Sequence, residues 1–372
     1  MAERFAIDCR YLNREFSGIA RSLQTLLLGL ATLRDREEIT LLTDAQTQTP
    51  EAASAAAGFA FVKVDYPPRS TANMLRLSRD LKRQGVTQLL CPDAFGPLVG
   101  SLRVAVMIHD LIPLTCAAQL RRSLKSRVPG LWRTWLKWQT RRAVGIVTVS
   151  EHSASDIANH LGVARDRIAV TPNALTPETL AACGQADPAP REDELLYVGR
   201  RDPYKGLATL ARVLGRVREL TGRDVKLRIV GPEDLRYPQA QEEIDRLGLQ
   251  SAVIDMGRVN EAELVAAYQR AKVFVFPSLY EGFGLPPLEA MAYGLPVVCS
   301  NRTSLPEVVE GAAVLVDPAD EAGFAQAIAE VMTDLAKWQR LADAGRRRAE
   351  RFTPARQAEA MLTALRRWGM SV

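Results

Sequence analysis

The sequence predicts an α/β protein built from two doubly wound domains that face each other across a cleft. Short β-branched and aromatic runs alternate with helical patterns from Phe5 to Val170, which indicates a parallel sheet covered on both faces. A second series of the same kind runs from Leu195 to Val316. Between the two series, residues 181–193 are rich in proline, glycine and acidic side chains, a composition typical of a linker.

The first predicted domain, residues 1–180, begins with a strand at Phe5–Asp8. Helical patterns follow from Gly18 to about Leu33 and later from Ser153 to Leu161. Its other strands are expected at short apolar runs, namely Ile39–Leu42, Phe61–Val64, Gln88–Leu90, Val104–Ile108, Ile146–Val149 and Ile168–Val170.

The second predicted domain, residues 194–352, repeats this pattern. The final residues 353–372 contain a helical segment, Pro354 to Trp368, that is rich in alanine and arginine. The strands of the second domain are expected at Leu195–Val198, Leu227–Val230, Val253–Met256, Val273–Phe276, Val297–Cys299 and Val314–Val316.

The composition is that of a soluble globular protein, with 47% hydrophobic and 24% charged residues in a chain of 372. Five scattered cysteines without a Cys-x-x-Cys pair favour a reducing compartment and argue against structural zinc. No secretory signal is recognisable near the first residues, because charged side chains interrupt them. We therefore expect a cytoplasmic protein, and no nucleic-acid-binding module is recognisable.

An acidic segment follows the predicted strand Val273–Phe276. It reads Pro-Ser-Leu-Tyr-Glu-Gly-Phe-Gly-Leu-Pro-Pro-Leu-Glu, and its two glutamates are Glu281 and Glu289. Gly282 and Gly284 permit tight turns and the close approach of a ligand, and the prolines favour a helix start. Because ligands of open α/β sheets bind beyond the carboxyl ends of the strands, this segment is a candidate site. A buried strand followed by an acidic helix start is the alternative interpretation.

A basic segment follows the predicted strand Leu195–Val198. It reads Gly-Arg-Arg-Asp-Pro-Tyr-Lys-Gly and places Arg200 and Lys205 at the carboxyl end of that strand. Positioned cations stabilise negative charge on phosphate groups, and arginine does so with two parallel hydrogen bonds. A solvated basic turn before a helix is the alternative. Arg201 is a further cation to which the sequence assigns no role.

Together the acidic and basic segments resemble the signature of retaining glycosyltransferases of the GT-B fold, family 4. The resemblance covers nearly the whole chain and is strongest between Leu195 and Pro306. It implies two Rossmann-like domains: residues 1–180 bind the acceptor, residues 194–352 bind the nucleotide-sugar donor, and the helix within 353–372 crosses back to the first domain. It also implies transfer of a hexose with retention of the anomeric configuration.

The resemblance implies roles for individual residues. The expected catalytic residues are His109 beside the donor sugar, Glu281 positioning that sugar, and Arg200 and Lys205 on the two phosphates. A strand-end histidine is otherwise often a structural residue. Further donor contacts are implied for Gly18 in a glycine loop that begins at Ser17, Arg258 beside the base, Phe283, Gly284 and Leu285 through backbone amides, and Glu289 on the ribose hydroxyls. On the acceptor side, Ser150 and Glu151 resemble a family motif.

No metal and no cofactor beyond the donor is expected. The chain contains no Asp-x-Asp pair, which metal-dependent glycosyltransferases use to carry the diphosphate. Arg200, Lys205 and a helix N-terminus would supply the positive charge instead.

The donor is expected to be GDP-mannose. The segments Ile7–Leu12 and His109–Leu114 resemble the branch that contains bacterial O-antigen and capsule mannosyltransferases. UDP-glucose, UDP-galactose and UDP-N-acetylglucosamine are the alternatives, while the acceptor and the linkage stay open. Two other functions are alternatives: a nucleotide-sugar 2-epimerase on the same fold, and a non-catalytic scaffold that binds nucleotide sugars.

The stretch from Arg121 to Arg142 carries eight basic residues, with no acidic residue between Asp110 and Glu151. Within it, Leu131–Val144 predicts a basic amphipathic helix with three tryptophans. Such a helix suits a membrane surface that presents a lipid-linked oligosaccharide acceptor. Packing of the tryptophans on the sheet is the alternative. We expect peripheral contact with the inner face of the cytoplasmic membrane.

Overall fold

The computed structural model describes residues 4–12, 18–33, 39–47, 58–120, 127–185 and 191–372. Strands lie at all thirteen positions predicted from the sequence. In chain order they are β1 Phe5–Asp8, β2 Ile39–Thr43, β3 Ala60–Lys63, β4 Gln88–Cys91, β5 Arg103–Met107, β6 Gly145–Thr148, β7 Ile168–Val170, β8 Glu194–Val198, β9 Lys226–Val230, β10 Val253–Gly257, β11 Val273–Phe276, β12 Val297–Ser300 and β13 Val314–Val316.

The α-helices of the described residues cover both sheets. In chain order they are α1 Gly18–Ala31, α2 Thr71–Arg83, α3 Ile112–Thr115, α4 Pro129–Arg142, α5 Glu151–Leu161, α6 Pro177–Ala181, α7 Leu207–Thr221, α8 Gln239–Arg246, α9 Glu261–Arg270, α10 Leu285–Ala292, α11 Leu305–Val309, α12 Glu321–Thr333, α13 Leu335–Ala349 and α14 Pro354–Arg367. Within the described part of the chain, no helix has the length and apolar character needed to cross a membrane.

The first sheet has seven parallel strands in the order β3-β2-β1-β4-β5-β6-β7. Its central strands β1 and β4 are buried along their whole length, which explains their continuous apolar sequence. The strand order reverses between β1 and β4, and ligands of open sheets bind beyond the carboxyl ends at such a point.

The second sheet has six parallel strands in the order β10-β9-β8-β11-β12-β13. The reversal here lies between β8 and β11, whose carboxyl ends lead into the basic and the acidic segment respectively. Parallel pairing brings these two segments to one edge of the sheet. The two doubly wound sheets confirm the predicted fold class.

The chain forms two compact units that are not continuous in sequence. The first contains residues 1–111, 129–176 and 352–372, and the second contains residues 112–128 and 177–351. Residues 112–128 therefore differ from the predicted first domain of 1–180. The reason is apolar burial, because Cys116 and Leu120 pack in one cluster with Tyr204, Tyr237 and Tyr280 of the second unit.

The segment predicted as a linker, residues 181–193, is partly helical at its start. Helix α6 ends at Ala181, and a turn of 3₁₀ helix covers Ala182–Gly184. Cys183 is buried there, so these residues belong to the packed second unit. Residues 186–190 of the predicted linker lie outside the described residues.

Helix α14 packs on α1 inside the first unit. Gln357 accepts a hydrogen bond from the hydroxyl of Thr25 at 2.7 Å and donates to the carbonyl oxygen of Ser22 at 3.2 Å. All three side chains are buried. Gly29 lets the helices approach, since a Cβ there would lie 2.0 Å from the carbonyl oxygen of Pro354. The last helix of the sequence is thus part of the core of the first unit.

Candidate functional site

The basic segment in the second unit forms a turn immediately after β8. The buried Tyr197 donates a hydrogen bond from its hydroxyl to the carbonyl oxygen of Arg200 at 2.6 Å. Burial, with the charges of Glu281 and Asp202, raises the pKa of this tyrosine, so its hydroxyl stays a neutral donor. This hydrogen bond therefore fixes the backbone position of Arg200.

A glycine allows the basic and acidic segments to touch. Gly206 has φ +76°, and a Cβ there would lie 2.3 Å from the carbonyl oxygen of Pro277. Close by, the Leu279 amide donates to the carbonyl oxygen of Tyr204 at 2.7 Å. Only glycine combines this left-handed backbone with so close an approach. The loops after β8 and β11 are thereby held together.

Lys205 and Glu281 form a buried ion pair across these two loops. The Nζ atom of Lys205 lies 2.7 and 2.8 Å from the two carboxylate oxygens of Glu281. The side chains are only 13% and 9% exposed. The same ammonium group lies 5.2 Å from the ring centroid of Tyr204 and 5.5 Å from that of Phe276. An ammonium group and a carboxylate are thus held together beside two aromatic rings at the carboxyl edge of the second sheet.

The loop that carries Glu281 is held by two residues that the sequence reasoning missed. The hydroxyl of Thr303 accepts from the Glu281 amide at 2.9 Å, and Ser304 donates to the carbonyl oxygens of Glu281 and Phe283 at 2.9 and 2.7 Å. Thr303 has a positive φ of 56°, unusual for a non-glycine residue. A Thr-Ser pair after a strand is a common sequence, so only the tertiary contacts reveal this role.

Arg200 is an accessible cation of the site. Its side chain is 62% exposed and pairs with the buried carboxylate of Asp202 at 2.8 Å. An exposed guanidinium anchored through one edge keeps N–H groups for an anionic ligand. Its neighbour Arg201 points elsewhere: Nη2 lies 2.5 Å from Asp255, and the side chain is 7% exposed. The cation without an assigned role therefore belongs to a structural pair.

Helix α10 begins at Leu285 and carries the second glutamate. Glu289 is buried and accepts a hydrogen bond from the hydroxyl of Tyr268 at 2.8 Å. Gly284, with φ +121°, is the cap before the helix, and a Cβ there would lie 2.8 Å from a side-chain atom of Leu305. Phe283 is buried. The backbone amides at the start of α10 follow Glu281 closely in the sequence.

Arg258 follows β10 on the same edge of the second sheet. Its side chain is exposed, and the preceding Gly257 has φ +59°. The prediction that the backbone near Arg258 reads the nucleotide base stays a prediction.

His109 lies two residues after β5 in the first unit. Its Nε2 atom is 3.1 Å from the carbonyl oxygen of Pro92, and its own carbonyl oxygen accepts from the hydroxyl of Ser153 at 3.1 Å. These contacts hold the imidazole at the carboxyl edge of the first sheet. Its role beside the donor sugar stays a prediction.

The other predicted residues of the first unit lie at helix starts. Gly18 is exposed at the first residue of α1, while Ser17 lies outside the described residues. Ser150 caps α5, and its hydroxyl accepts from the Ser153 amide at 3.0 Å. Glu151 pairs with Arg165 on the surface at 2.6 Å. These contacts give Ser150 and Glu151 a structural use, and their predicted role at the acceptor stays a prediction.

Clusters of three or more His, Cys, Asp or Glu side chains able to hold a metal ion are absent from the described residues. The metal-free site stays a prediction.

Two family models match the chain. The model described as "Glycosyltransferase Family 4" matches residues 16–179, and "Glycosyl transferases group 1" matches residues 185–348. Together the matches extend over both compact units.

Two relatives are similar in sequence. O-antigen chain mannosyltransferase B of Escherichia coli is 32% identical over 259 residues, covering 68% of this chain and 67% of that protein. MMP alpha-(1->4)-mannosyltransferase of Mycolicibacterium hassiacum is 32% identical over 264 residues, covering 68% of this chain and 61% of that protein.

Among solved structures, sucrose-phosphate synthase of Thermosynechococcus elongatus has a TM-score of 0.72 at 19% identity, covering 98% of each chain. At this identity the likeness concerns the fold alone, and it confirms the predicted architecture of two Rossmann-like domains.

Proposed function

The chain belongs to the family 4 glycosyltransferases, and on that premise we propose that it transfers a hexosyl residue from a nucleotide sugar to a glycan with retention of configuration. The observation that carries this proposal is the buried contact between Lys205 and Glu281 at 2.7 Å. The transfer requires a cation for the departing diphosphate and a carboxylate near the sugar, and this pair offers both in one place.

Charge on the leaving group is the main problem that the residues must solve. As the bond between sugar and diphosphate breaks, negative charge grows on the phosphate oxygens, and positioned cations stabilise it. Lys205 and Arg200 supply those cations, and each charged hydrogen bond contributes about 1.5–3 kcal/mol. Lys205 is already paired with Glu281. A diphosphate that binds Lys205 therefore shares the lysine ammonium group with the Glu281 carboxylate.

The acceptor proton needs no separate protein base in this scheme. The acceptor hydroxyl attacks the anomeric carbon on the face from which the diphosphate leaves, and a phosphate oxygen takes its proton. Glu281 positions the sugar and forms no stable covalent intermediate. His109 contacts the donor sugar in this proposal. Arg200, Lys205 and the amides at the start of α10 balance the diphosphate charge without a metal ion.

GDP-mannose is the proposed donor and a surface polysaccharide the proposed product. Support comes from the two relatives, which are named as mannosyltransferases, one of them for the O-antigen chain. UDP-glucose, UDP-galactose and UDP-N-acetylglucosamine are the alternative donors.

Calorimetric titration of the full chain with GDP, UDP and ADP, with and without EDTA, tests the donor site. Preferential binding of GDP that EDTA leaves unchanged is the expected result. Preference for UDP would transfer the proposal to the alternative donors, and loss of binding in EDTA would contradict the metal-free site. Absence of binding by all three nucleotides would overturn the glycosyltransferase proposal.

A transfer assay with radiolabelled donor tests the chemistry. Glu281→Ala and Arg200→Ala are each expected to lower the rate by at least about tenfold, the effect of losing one strong charged interaction. Arg216→Ala, an exposed arginine on α7, is the control and keeps the wild-type rate. Donor turnover without an acceptor would favour the epimerase, and nucleotide binding without any turnover would favour the scaffold.

We also propose that α4 contacts the membrane surface at the cytoplasmic face. Trp135 packs inward, because its indole donates to the carbonyl oxygen of Ala94 at 2.9 Å. Leu131 is 70% and Trp138 37% exposed. The guanidinium carbon of Arg142 lies 5.3 Å from the ring centroid of Trp138, and Arg141 and Arg142 are exposed at the end of the same helix. An exposed apolar residue on a basic helix suits the interface of an anionic bilayer.

Sedimentation with phosphatidylglycerol vesicles tests this contact. Leu131→Gln is expected to reduce binding, since burying one leucine is worth about 1.5–3 kcal/mol. The matched control is Leu75→Gln on α2, also exposed at 60%, which retains binding. Equal binding of both variants, or binding to neutral vesicles alone, would contradict the proposal.

A further inference from the structure

The carboxyl edge of the first sheet carries an ion pair that the proposed donor chemistry does not use. Arg69 donates from Nε and Nη2 to one oxygen of Asp93, at 3.2 and 2.5 Å. The guanidinium carbon lies 5.8 Å from the ring centroid of Tyr11 and 5.2 Å from that of Phe95. The arginine is therefore restrained by a carboxylate and two aromatic rings together.

A buried polar network holds this cluster in place. The carbonyl oxygen of Phe95 accepts from Asn73 at 2.8 Å, and the other end of that amide accepts from Arg10 at 2.6 Å. Arg10 is 1% exposed, and its guanidinium donates two hydrogen bonds to Asp8 at the end of β1, at 2.8 and 2.7 Å. The network ties the end of β1 to α2 and to the loop after β4. Such support pre-organises a binding surface.

The cluster lies beside His109 in the first unit. The imidazole contacts the carbonyl oxygen of Pro92 at 3.1 Å, and Asp93 is the next residue. Phe95 extends the cluster further, since its ring centroid is 5.6 Å from that of Trp132 and 5.5 Å from that of Trp135. One continuous group of aromatic and charged side chains thus lies beside the histidine. Its members Tyr11 and Asp93 follow β1 and β4, the strands on either side of the switch point.

We propose that Arg69 and Asp93, together with the rings of Tyr11 and Phe95, bind a neutral pyranose unit of the acceptor glycan. This inference rests on the proposed glycosyltransferase function and names the substrate class of its acceptor subsite. Neither Arg69 nor Asp93 belongs to the acceptor-side motif that the sequence suggested.

Complementary hydrogen bonding favours a sugar. A sugar hydroxyl both donates and accepts, whereas guanidinium only donates and carboxylate only accepts, so an Arg–Asp pair satisfies two neighbouring hydroxyls at once. Arg69 is 51% exposed, so the guanidinium N–H groups outside its contact with Asp93 can reach a ligand. Asp93 is 15% exposed; its Oδ1 atom accepts from the Ala94 amide at 2.7 Å and has a second lone pair for a sugar hydroxyl. Burial, with the charge of Asp93, raises the pKa of Tyr11, and its phenol remains a neutral hydroxyl. Tyr11 and Phe95 are only partly buried, so the ring atoms outside the contact with Arg69 can pack against the apolar C–H face of a pyranose.

Charge balance disfavours an anionic ligand at this subsite. The carboxylate of Asp93 cancels the charge of Arg69, and it would repel a phosphate or uronate brought within hydrogen-bond distance. If Arg69 and Asp93 formed a purely structural surface pair, replacing either side chain would change stability only slightly and would leave sugar binding unchanged.

The test is a titration of the full chain, followed by saturation-transfer NMR, with methyl α-D-mannopyranoside, methyl α-D-glucopyranoside and mannose 6-phosphate. Wild type is expected to bind one of the neutral glycosides in the millimolar range. Arg69→Gln and Asp93→Asn are each expected to weaken this binding about tenfold, the effect of losing one charged hydrogen bond. Arg79→Gln, at another exposed pair of the first unit, is the matched control and binds like wild type.

Three results would overturn the inference: unchanged binding in both variants, tighter binding of mannose 6-phosphate than of the neutral glycosides, or absence of glycoside binding by wild type. Thermal unfolding of each variant detects a general folding defect. If Arg69→Gln shows such a defect, the glycoside affinity of the more conservative Asp93→Asn tests the inference. GDP and UDP titrations on the same samples separate the two proposals. Nucleotide binding without glycoside binding rejects the subsite alone, and absence of nucleotide binding rejects the proposed function.

Discussion

Lys205 and Glu281 are the residues in which stability and the proposed chemistry are most closely joined. Each is charged and mostly buried, with side chains 13% and 9% exposed. Removing such charges from water is costly, and each is tolerated only because the other compensates it. The pair also links the two loops at the carboxyl edge of the second sheet, so both charges are held in a defined position.

Breaking this pair from one side is expected to destabilise the protein. Lys205→Met leaves an uncompensated buried carboxylate and should lower the free energy of unfolding by about 3–5 kcal/mol. The double variant Lys205→Met/Glu281→Gln should recover much of that loss in stability, while its transfer rate stays at least about tenfold below that of wild type. Urea unfolding of wild type, both single variants and the double variant measures the coupling.

The exposed pair of Arg246 and Glu243 is the control for this cycle. Arg246 is 62% exposed, and Arg246→Met should change stability by only about 0–1 kcal/mol. A double variant as unstable as the sum of its single variants would contradict the interpretation of Lys205 and Glu281 as a mutually compensating pair.

Helix α14 shows how an element far away in sequence completes a core. Its residues Met361 and Leu365 are buried with Leu26 and Leu30 of α1. The approach is so close that a Cβ on Gly29 would lie 2.0 Å from a backbone oxygen of Pro354. Backbone atoms cannot move aside as a flexible side chain can, so this glycine is required by contact rather than by its dihedral angles.

Two glycine substitutions in helices should therefore act in opposite directions. Gly29→Ala is expected to destabilise the first unit by about 1–3 kcal/mol through overpacking. Gly215→Ala, in α7 where a Cβ would meet nothing within 4 Å, should instead stabilise by up to about 1 kcal/mol through helix propensity. Differential scanning calorimetry of both variants measures the sign, and destabilisation by Gly215→Ala would show that helix packing is not what distinguishes the two sites.

At the scale of the whole molecule, each of the two units contains segments that are separated in the sequence by residues of the other unit. Residues 112–128 belong to the second unit although their neighbours on both sides belong to the first, and residues 352–372 return to the first unit after the second is complete. Each unit is therefore assembled from segments that are distant in sequence. Neither consists of one uninterrupted stretch of chain.

Deleting residues 352–372 should unfold the first unit selectively. The deletion removes Met361, Leu365 and other buried side chains, each worth about 1.5–3 kcal/mol, against a total stability of about 5–15 kcal/mol for a domain. Calorimetry should show one remaining transition, and the nucleotide that wild type binds should raise its temperature. Persistence of a cooperative transition for each unit would contradict this prediction.

Much of the fold was readable from local pattern. Apolar runs such as Val273–Phe276 and Val297–Ser300 are buried along their whole length, and a central strand of a parallel sheet needs apolar residues on both faces. The Glu281 and Lys205 segments were likewise recognisable, because strand ends, glycines and charges lie close together in the sequence. Strand positions and the fold class therefore follow from neighbours along the chain, whereas the donor roles of Lys205 and Glu281 come from the family resemblance and stay predictions.

Contacts between distant segments were decided only by the tertiary structure. The sequence does not reveal that Lys205 contacts both carboxylate oxygens of Glu281. It also does not reveal that Arg201 forms an ion pair with Asp255. The contact of Arg69 with Asp93 beside two aromatic rings is likewise visible only in the structure. Residues 112–128 were assigned to the first domain because local pattern carries no information about which core buries Leu120. The physical reason is the same in each case: side-chain pairing and apolar burial depend on distances in space, and those exist only once the strands have been ordered in their sheets.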